Sequence, residues 1–259
     1  MTRDTRPSAG VVIIGNEVLS GKVQERNIAF FVTRFRAAGV RLDRVAIIPD
    51  SPEEIGSTVA EFSRRYDLVC TTGGIGPTHD DLTVEAIAAG FGVEVEESPE
   101  IRSRLEARFD IAVPATYLRM ARVPAGATIE YGSGGRWGTI RYGNVFIFPG
   151  VPGLLRRNFD AIKGCFSGHP MYTAAIHLVT DEASICEMLE TVVAAHPGVE
   201  FGSYPSVTKD GWTLRITVEA PGADLCQLAL AELRVRFGAV MEGEDPVVAS
   251  NAPQPDSDR

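Results

Sequence analysis

Three times within the first ninety residues, a short apolar run gives way to a segment with helical periodicity. Gly10–Gly15 (GVVIIG) has the length and content of a buried strand. From Asn27, the apolar residues Ile28, Phe31, Val32 and Phe35 fall at i, i+3, i+4 and i+7, a helix face that stops near Gly39. Arg41–Pro49 is a second strand, and Ser51-Pro52-Glu53-Glu54 then opens a helix. Ser51 suits the N-cap, Pro52 the first helical position and Glu54 the far end of a capping box. Asp67–Thr72 (DLVCTT) is a third strand, followed by GGIGPTHDD and a helix over Leu82–Ala89. Strands that alternate with helices and are apolar on both faces belong to a mostly parallel α/β sheet covered on both sides.

Further along, a helix starts at Ser98-Pro99. Asn144–Phe148 (NVFIF) is another buried strand, leading into PGVPG and a helix that carries Leu154, Leu155, Phe159 and Ile162. The pattern changes near Gly164–Pro170. Beyond it come a strand (Tyr172–Val179), a helix (Ala183–Ala195), two strands (Val199–Tyr204 and Trp212–Glu219) and a helix (Asp224–Phe237). In the last strand Trp212, Leu214, Ile216 and Val218 alternate, the period of a sheet with one wet face. The expected organisation is a frayed segment over 1–9, a large α/β domain over 10–168, a small α+β (βαββα) subdomain over 169–241, and a disordered Asp-, Glu- and Pro-rich tail over 242–259.

Composition excludes several classes. Twenty-five basic residues against 34 acidic ones give a net charge of −9, a poor counter-surface for a phosphate backbone, so nucleic acid is not an expected partner. No apolar run approaches the ~20 residues that span a bilayer, and no apolar leader is visible, so no membrane role is expected and the cytoplasm is the expected compartment. Cys70, Cys165, Cys186 and Cys226 are widely spaced and read as reduced thiols rather than a disulfide framework or zinc site.

The densest chemical signal is the run Thr71 to Thr83 (TTGGIGPTHDDLT), at the carboxyl end of a strand and the start of a helix, the edge where ligands bind in open α/β sheets. Gly73, Gly74 and Gly76 let backbone N–H groups approach a phosphate closely, and Asp80 and Asp81 offer hard oxygen ligands beside them. Two glycines alone imply no more than a tight turn, with Thr78 and Asp81 as the ends of a capping box. It is the added density of Gly, Thr and Asp that weighs toward a ligand site. The run is not a dinucleotide fingerprint, because His79 stands where the third glycine belongs. Gly15–Val23 is not a P-loop, having one residue too many between its glycines and Val23 in place of Ser or Thr.

Three other loops follow strands of the same sheet: one with Glu17 and Asn27, one with Asp50, and Pro149-Gly150-Val151-Pro152-Gly153. Taken singly each is an ordinary connection, and Asp50 an ordinary turn residue. Together they converge on one sheet edge. Of the histidines only His79 falls in a candidate site, and His169, His177 and His196 read as surface or packing residues.

TTGGIGPTHDDLT, with IGNEVLSGKVQERN, Asp50 and FPGVP, resembles the molybdopterin-binding-like superfamily, over roughly residues 10–165. That superfamily includes the molybdenum-cofactor biosynthesis proteins and the N-terminal domain of the competence-damage-inducible A family. FPGVPGLLRR, TDEASICEMLE and FGSYPSV are similar to the N-terminal half of eukaryotic-type FAD synthases, extending the resemblance to about residue 240. The resemblance implies a three-layer α/β fold, a dimer or trimer, and metal-dependent cleavage of a pyrophosphate in ADP-ribose or FAD. It implies that Asp50 and Asp81 are catalytic, that a divalent ion (Mg, Mn or Co) sits on Asp50, Asp80 and Asp81, and that Gly73, Gly74, Gly76, Thr78, Gly150, Pro152, Asn27 and Glu17 line the substrate site. His79 stands where competence-type relatives often carry Lys, the form of the FAD synthase branch. The amidohydrolase and adenylylating domains of those relatives are not represented here, so neither nucleotide deamidation nor FAD synthesis is expected. Two alternatives share the fold: pterin binding or adenylyl transfer in molybdenum-cofactor synthesis, and a nucleotide-binding module without catalysis.

Overall fold

The computed structural model describes residues 6–108, 112–132, 138–209 and 211–250. These form two compact units: Pro7–Phe35 with Val40–Ser167, and Arg6 and Arg36–Gly39 with Gly168 onward.

In chain order the first segment runs β1 (Ser8–Ile14), α1 (Asn16–Leu19), α2 (Asn27–Ala38), β2 (Arg41–Ile48), α3 (Pro52–Arg65), β3 (Leu68–Thr72) and α4 (Thr83–Phe91). It continues through β4 (Val95–Glu97), α5 (Pro99–Glu106), α6 (Ala115–Leu118), β5 (Arg122–Pro124), β6 (Thr128–Glu130), β7 (Thr139–Tyr142), β8 (Val145–Phe148) and α7 (Pro152–Ala161). Six strands form one sheet in the order β2-β1-β3-β8-β7-β6. The first four are parallel, and β7 and β6 extend the sheet antiparallel. The mostly parallel α/β sheet is therefore as expected. The β6–β7 hairpin and the separate β4–β5 pair carried no sequence signal, because each strand is only three or four residues long.

The period of two along each buried strand sorts side chains between two cores. Val12 and Ile14 of β1, Val69 of β3, and Val145 and Ile147 of β8 face one side, where they pack with Ile55, Val59 and Phe62 of α3 and Ile87 of α4. On β8 the intervening residues, Phe146 and Phe148, join an aromatic cluster with Phe31 and Phe35 of α2, Phe159 of α7, and Phe166. The Phe159 and Phe166 rings stack 4.5 Å apart and 4° from parallel. Each buried aromatic ring contributes roughly 1.5–3 kcal/mol, which fixes the helices on both faces.

Ser51 caps α3 as expected, accepting from the Glu54 N–H at 3.5 Å. The reciprocal half of the box is missing, since the Ser51 N–H donates to the Pro49 carbonyl at 2.8 Å. The expectation of a frayed 1–9 fails for Ser8 and Ala9, which belong to β1; residues 1–5 lie outside the described residues. The Asp67 carboxylate holds this start of the strand, accepting from the Ser8 N–H at 2.8 Å and the Ser8 hydroxyl at 2.7 Å.

The second segment contains β9 (Tyr172–Leu178), α8 (Cys186–Ala195), β10 (Glu200–Thr208), β11 (Gly211–Ala220), α9 (Ala223–Phe237) and β12 (Met241–Ala249). An antiparallel sheet of order β10-β11-β9-β12 packs Leu214, Ile216 and Val218 of β11 against Val192 of α8 and Leu230 and Leu233 of α9. The expected βαββα unit thus gains a fourth strand, and the expectation of disorder from Glu242 is wrong through Ala249. β12 is polar (MEGEDPVVA) and is held by its ladder to β9 and by two ion pairs, Arg234–Glu244 at 2.5 Å and Arg215–Asp245 at 3.1 Å. Residues 251–259 of the tail lie outside the described residues.

All four cysteines are free, and among the described residues no helix is long and apolar enough to cross a membrane.

Candidate functional site

The loops after β1, β2, β3 and β8 all leave the carboxyl edge of the parallel strands. Their glycines show why they meet there. Gly73 is buried, with φ +111°, and a Cβ on it would lie 2.0 Å from the Ile14 carbonyl oxygen. Its N–H donates to the Phe148 carbonyl at 3.2 Å. It is a packing position between three strands, and the expectation that it faces a phosphate does not hold. Gly150 approaches it closely: a Cβ there would sit 3.2 Å from the Gly73 Cα.

Asn27 ties the same loops together from the start of α2. Only 6% exposed, it donates through Nδ2 to the Gly150 carbonyl at 2.9 Å and to Thr72 Oγ1 at 3.3 Å, and its buried Oδ1 has no partner among the described residues. Thr72 in turn donates to the Pro149 carbonyl at 2.9 Å. Asp50 plays the equivalent part between the loops after β1 and β2, its Oδ2 accepting from the Asn16 N–H at 2.7 Å. Glu17 is exposed in the first turn of α1 and folds over Gly15, where a Cβ would strike its carboxylate. Pro152 opens α7 at a position where its missing N–H costs nothing.

The glycine turn itself is closed by side chains. The Thr83 hydroxyl donates to the Gly73 carbonyl at 2.9 Å, and its N–H to the Gly74 carbonyl at 3.0 Å. Asp81 Oδ2 accepts from both the N–H and the hydroxyl of Thr78, at 2.8 and 2.5 Å. This closes a turn outside the helix, since α4 begins at Thr83 with Leu82 as its N-cap, so no capping box forms. Thr78 therefore orients Asp81 and has no N–H to give a phosphate. Its hydroxyl also holds the Asp80 carboxyl below the usual carboxylate range. His79 is 97% exposed and lies outside the enclosed part of the site.

Between these bonds stands a row of unused donors. Among the described residues, the N–H groups of half-buried Gly74, Ile75 and Gly76 donate to no protein acceptor. A Cβ on Gly76 would lie 2.6 Å from Asp81 Oδ2, so a side chain there would push that carboxylate from its place.

The Gly74–Gly76 turn and Asp81 form one wall of a cleft of ≈ 210 Å³, with Pro149 and α7 alongside. Sequence reasoning missed a second set of lining residues. Arg104 of α5, Arg108, Arg119 and Arg122 of β5 all line the cleft. Arg119 donates to the Thr78 carbonyl at 3.1 Å, Arg122 pairs with Glu85 at 3.1 Å, and the Arg104 guanidinium stands 4.0 Å from the Tyr131 ring centroid. Burial pushes the Tyr131 phenol up, against the pull of Arg104. Four guanidinium groups and the carboxylates of Asp81 and Glu85 line the cleft, and Arg104 also pairs with Glu100 at 3.9 Å, so the lining is rich in arginine although the chain is acidic. Such a surface, with unused backbone donors beside it, binds anions.

The expected site residues are thus divided. Gly74, Gly76 and Asp81 line the cleft; Asn27, Gly73 and Gly150 form a bonded knot of loops; Asp50 and Glu17 lie on the loops after β2 and β1. Among the described residues, no three His, Cys, Asp or Glu side chains gather as a metal site.

Comparison with known proteins places this edge in context. A family model described as "Probable molybdopterin binding domain" matches residues 10–166, and one described as "FAD synthase, middle domain" matches residues 170–242. A protein of Archaeoglobus fulgidus is 32% identical over 75% of this chain and 84% of its own length. A probable FAD synthase of Caenorhabditis briggsae is 28% identical over 89% of this chain, and a CinA-like protein of Citrifermentans bemidjiense 35% identical over 91%. The matches to those two cover only 50% and 59% of their lengths. Among solved structures, the protein CinA of Thermoplasma acidophilum, of unknown function, superposes with a TM-score of 0.57 at 26% identity, over 62% of this chain and 98% of the other.

Proposed function

Since this chain belongs to the molybdopterin-binding-domain family and has FAD synthase and CinA-like homologues, we propose that it is a cytoplasmic, metal-dependent nucleotide pyrophosphatase acting on ADP-ribose or FAD. The observation that carries this reading is the row of unused N–H groups at Gly74, Ile75 and Gly76 in a cleft also lined by four arginines, at the carboxyl edge of the sheet. Donors of this kind stabilise charge on the non-bridging oxygens of a phosphoryl group under attack. The substrate is a small nucleotide rather than a nucleic acid, and the working form is a homodimer or homotrimer.

The carboxylates suit a hard divalent cation. Asp50 and Asp81 each commit one oxygen to a loop bond, which fixes the side chain. Two carboxylates completed by substrate phosphates is how Mg²⁺ is commonly held. Asp50, Asp80 and Asp81 do not gather into a ready metal site among the described residues; a divalent ion (Mg²⁺, Mn²⁺ or Co²⁺) held by Asp81 and completed by substrate phosphates would offset diphosphate charge and supply Lewis-acid activation for hydrolysis. Thr78 keeps Asp81 aimed, and Asn27 keeps the Gly150 loop against the glycine turn.

The match to the FAD synthase middle domain favours a flavin nucleotide as substrate. The test is AMP release from ADP-ribose, FAD, NAD and ATP by EDTA-stripped protein resupplied with each metal. AMP from ADP-ribose or FAD is expected, falling by about 100-fold or more in Asp81→Asn with the far-UV spectrum unchanged. No AMP with any metal would defeat the proposal and favour pterin binding or a non-catalytic nucleotide module.

A further inference from the structure

α9 departs from the pattern of a surface helix, which carries one apolar stripe and one polar face. Cys226, Ala229, Leu230, Leu233 and Phe237 are buried in the core of the second segment. Leu225, Leu228 and Val235 nevertheless face solvent, 42%, 61% and 83% exposed. Their spacing, i, i+3 and i+10, is that of a seam that meets another helix. Glu232 holds the i+7 place, but its carboxylate is taken up by His196 at 2.8 Å and Arg236 at 3.1 Å. Beside the seam lies a groove of ≈ 760 Å³, whose apolar lining of Leu228, Leu230, Ala231, Pro246 and Val247 comes from α9 and β12.

Charge narrows what can cover this surface. Residues 1–167 are balanced, with 20 basic and 20 acidic residues, whereas residues 168–250 hold four basic against twelve acidic ones. Arg6 and Arg36, which belong to the same compact unit, pair with Glu200 and Glu219. Against those six cations the twelve acids leave six negative charges in excess. Three of the cations are neutralised in place, Arg215 by Asp245, Arg234 by Glu244 and Arg236 by Glu232. Among the described residues Glu182, Glu187, Glu190, Asp224 and Glu242 form no ion pair. Glu190 above all, with Glu182 and Glu187, pushes the Cys186 thiol up. A second copy brings the same acidic surface, and anionic lipid headgroups are repelled in the same way.

We propose that α9 and the groove beside it are a docking surface for a basic protein segment, an amphipathic helix whose apolar face meets Leu225, Leu228 and Val235 and whose flanks carry Lys or Arg. Helices are commonly bound in this way, apolar face into groove. The seam is ~15 Å long at 1.5 Å per residue, so about three turns of the partner cover it. The inference goes beyond the pyrophosphatase reading and does not rest on it.

The probe is a synthetic amphipathic helix of Leu and Lys, fluorescein-labelled and titrated with the full chain by fluorescence anisotropy. One control peptide has the same composition scrambled so that no face is apolar, and another has Glu in place of every Lys. The Leu/Lys helix is expected to bind at least about 10-fold tighter than either control, and more weakly as salt rises. The double variant Leu228→Ser/Val235→Ser should lose at least about 10-fold in that affinity. Val32→Ser, an equally exposed change on α2, should lose nothing. Asp224→Lys should weaken the Leu/Lys helix severalfold and tighten the Leu/Glu one, an exchange that a merely structural role would not produce. It decides the matter if the double variant does not fold. Equal binding of the scrambled peptide, full affinity in the double variant, or no exchange in Asp224→Lys overturns the proposal. Sedimentation velocity in which the parent self-associates and the double variant does not would overturn it in favour of a second copy. Flotation of the parent, but not of the double variant, with phosphatidylcholine vesicles would overturn it in favour of a membrane.

Discussion

Replacing Asn27 by aspartate changes one NH₂ group to an oxygen and almost nothing in volume. Asn27 is 6% exposed and aims its Nδ2 at the Gly150 carbonyl, 2.9 Å away. An ionised carboxylate at this position would set a buried negative charge against that carbonyl oxygen. A protonated one can still donate to it. The variant's folded-state pKa must therefore rise above its unfolded value of about 3.9, and burial of this degree raises carboxyls by ~2–3 units. At about 1.36 kcal/mol per unit, the deficit relative to the parent is near zero at pH 4 and about 3–4 kcal/mol at pH 7.5. The sign follows from the raised pKa: the variant's stability is intact below the unfolded value and is lost as pH rises toward the folded one. Asn27→Ala should instead lose about 1–2 kcal/mol at both pH values, from the bond alone. Urea unfolding followed by far-UV circular dichroism, for parent and both variants at each pH, gives the numbers. A deficit in Asn27→Asp that is the same at pH 4 and 7.5 would refute the reasoning, because the carbonyl would not then be sensing the charge.

Two other outcomes follow from the same loops and strands. Gly73→Ala should cost more than about 3 kcal/mol, read by thermal melting, because a positive φ costs ~1–2 kcal/mol and the added Cβ also meets the Ile14 carbonyl at 2.0 Å; Gly92→Ala, with positive φ but nothing within 4 Å, should lose only the first part. The Ser8 hydrogen bonds hold the Asp67 carboxyl below its usual range, a contribution present above the unfolded pKa and lost as pH falls through the folded one. Ser8→Ala should therefore be less stable than the parent at pH 7, with the gap narrowing toward pH 3 in urea titrations.

The parallel part of the fold was legible because burial on both faces writes long apolar runs, as in GVVIIG, DLVCTT and NVFIF. The strands of β4 to β7 were not, being too short for a period of two to show. β12 was hidden for another reason. It is a polar strand whose order comes from its ladder to β9, a partner about 70 residues away, and not from its own composition. The same division holds in the site. The glycine turn announces itself in consecutive residues, and Asp81 with it. The arginine lining does not, since Arg104, Arg108, Arg119 and Arg122 come from α5, β5 and the stretch between, where no periodic pattern marks them. Thr78 was legible as the bonded partner of Asp81, but as one end of a helix capping box rather than of a turn ahead of the helix.

The course of the large sheet sets the order in which its ligand edge is assembled. β1, the first strand among the described residues, is interior, and β3 finds its second neighbour only in β8, with Thr72 bonding to Pro149 across 77 residues. Pairing over such a separation is slow, because chain entropy is lost before contacts reward it. Until β8 docks, one side of β3 is an open template for strands of other chains. Neither Pro149 nor α7 is then in place beside the glycine turn. Docking of β8 therefore does two things at once: it covers the open side of β3 and brings Pro149 and α7 beside the glycine turn.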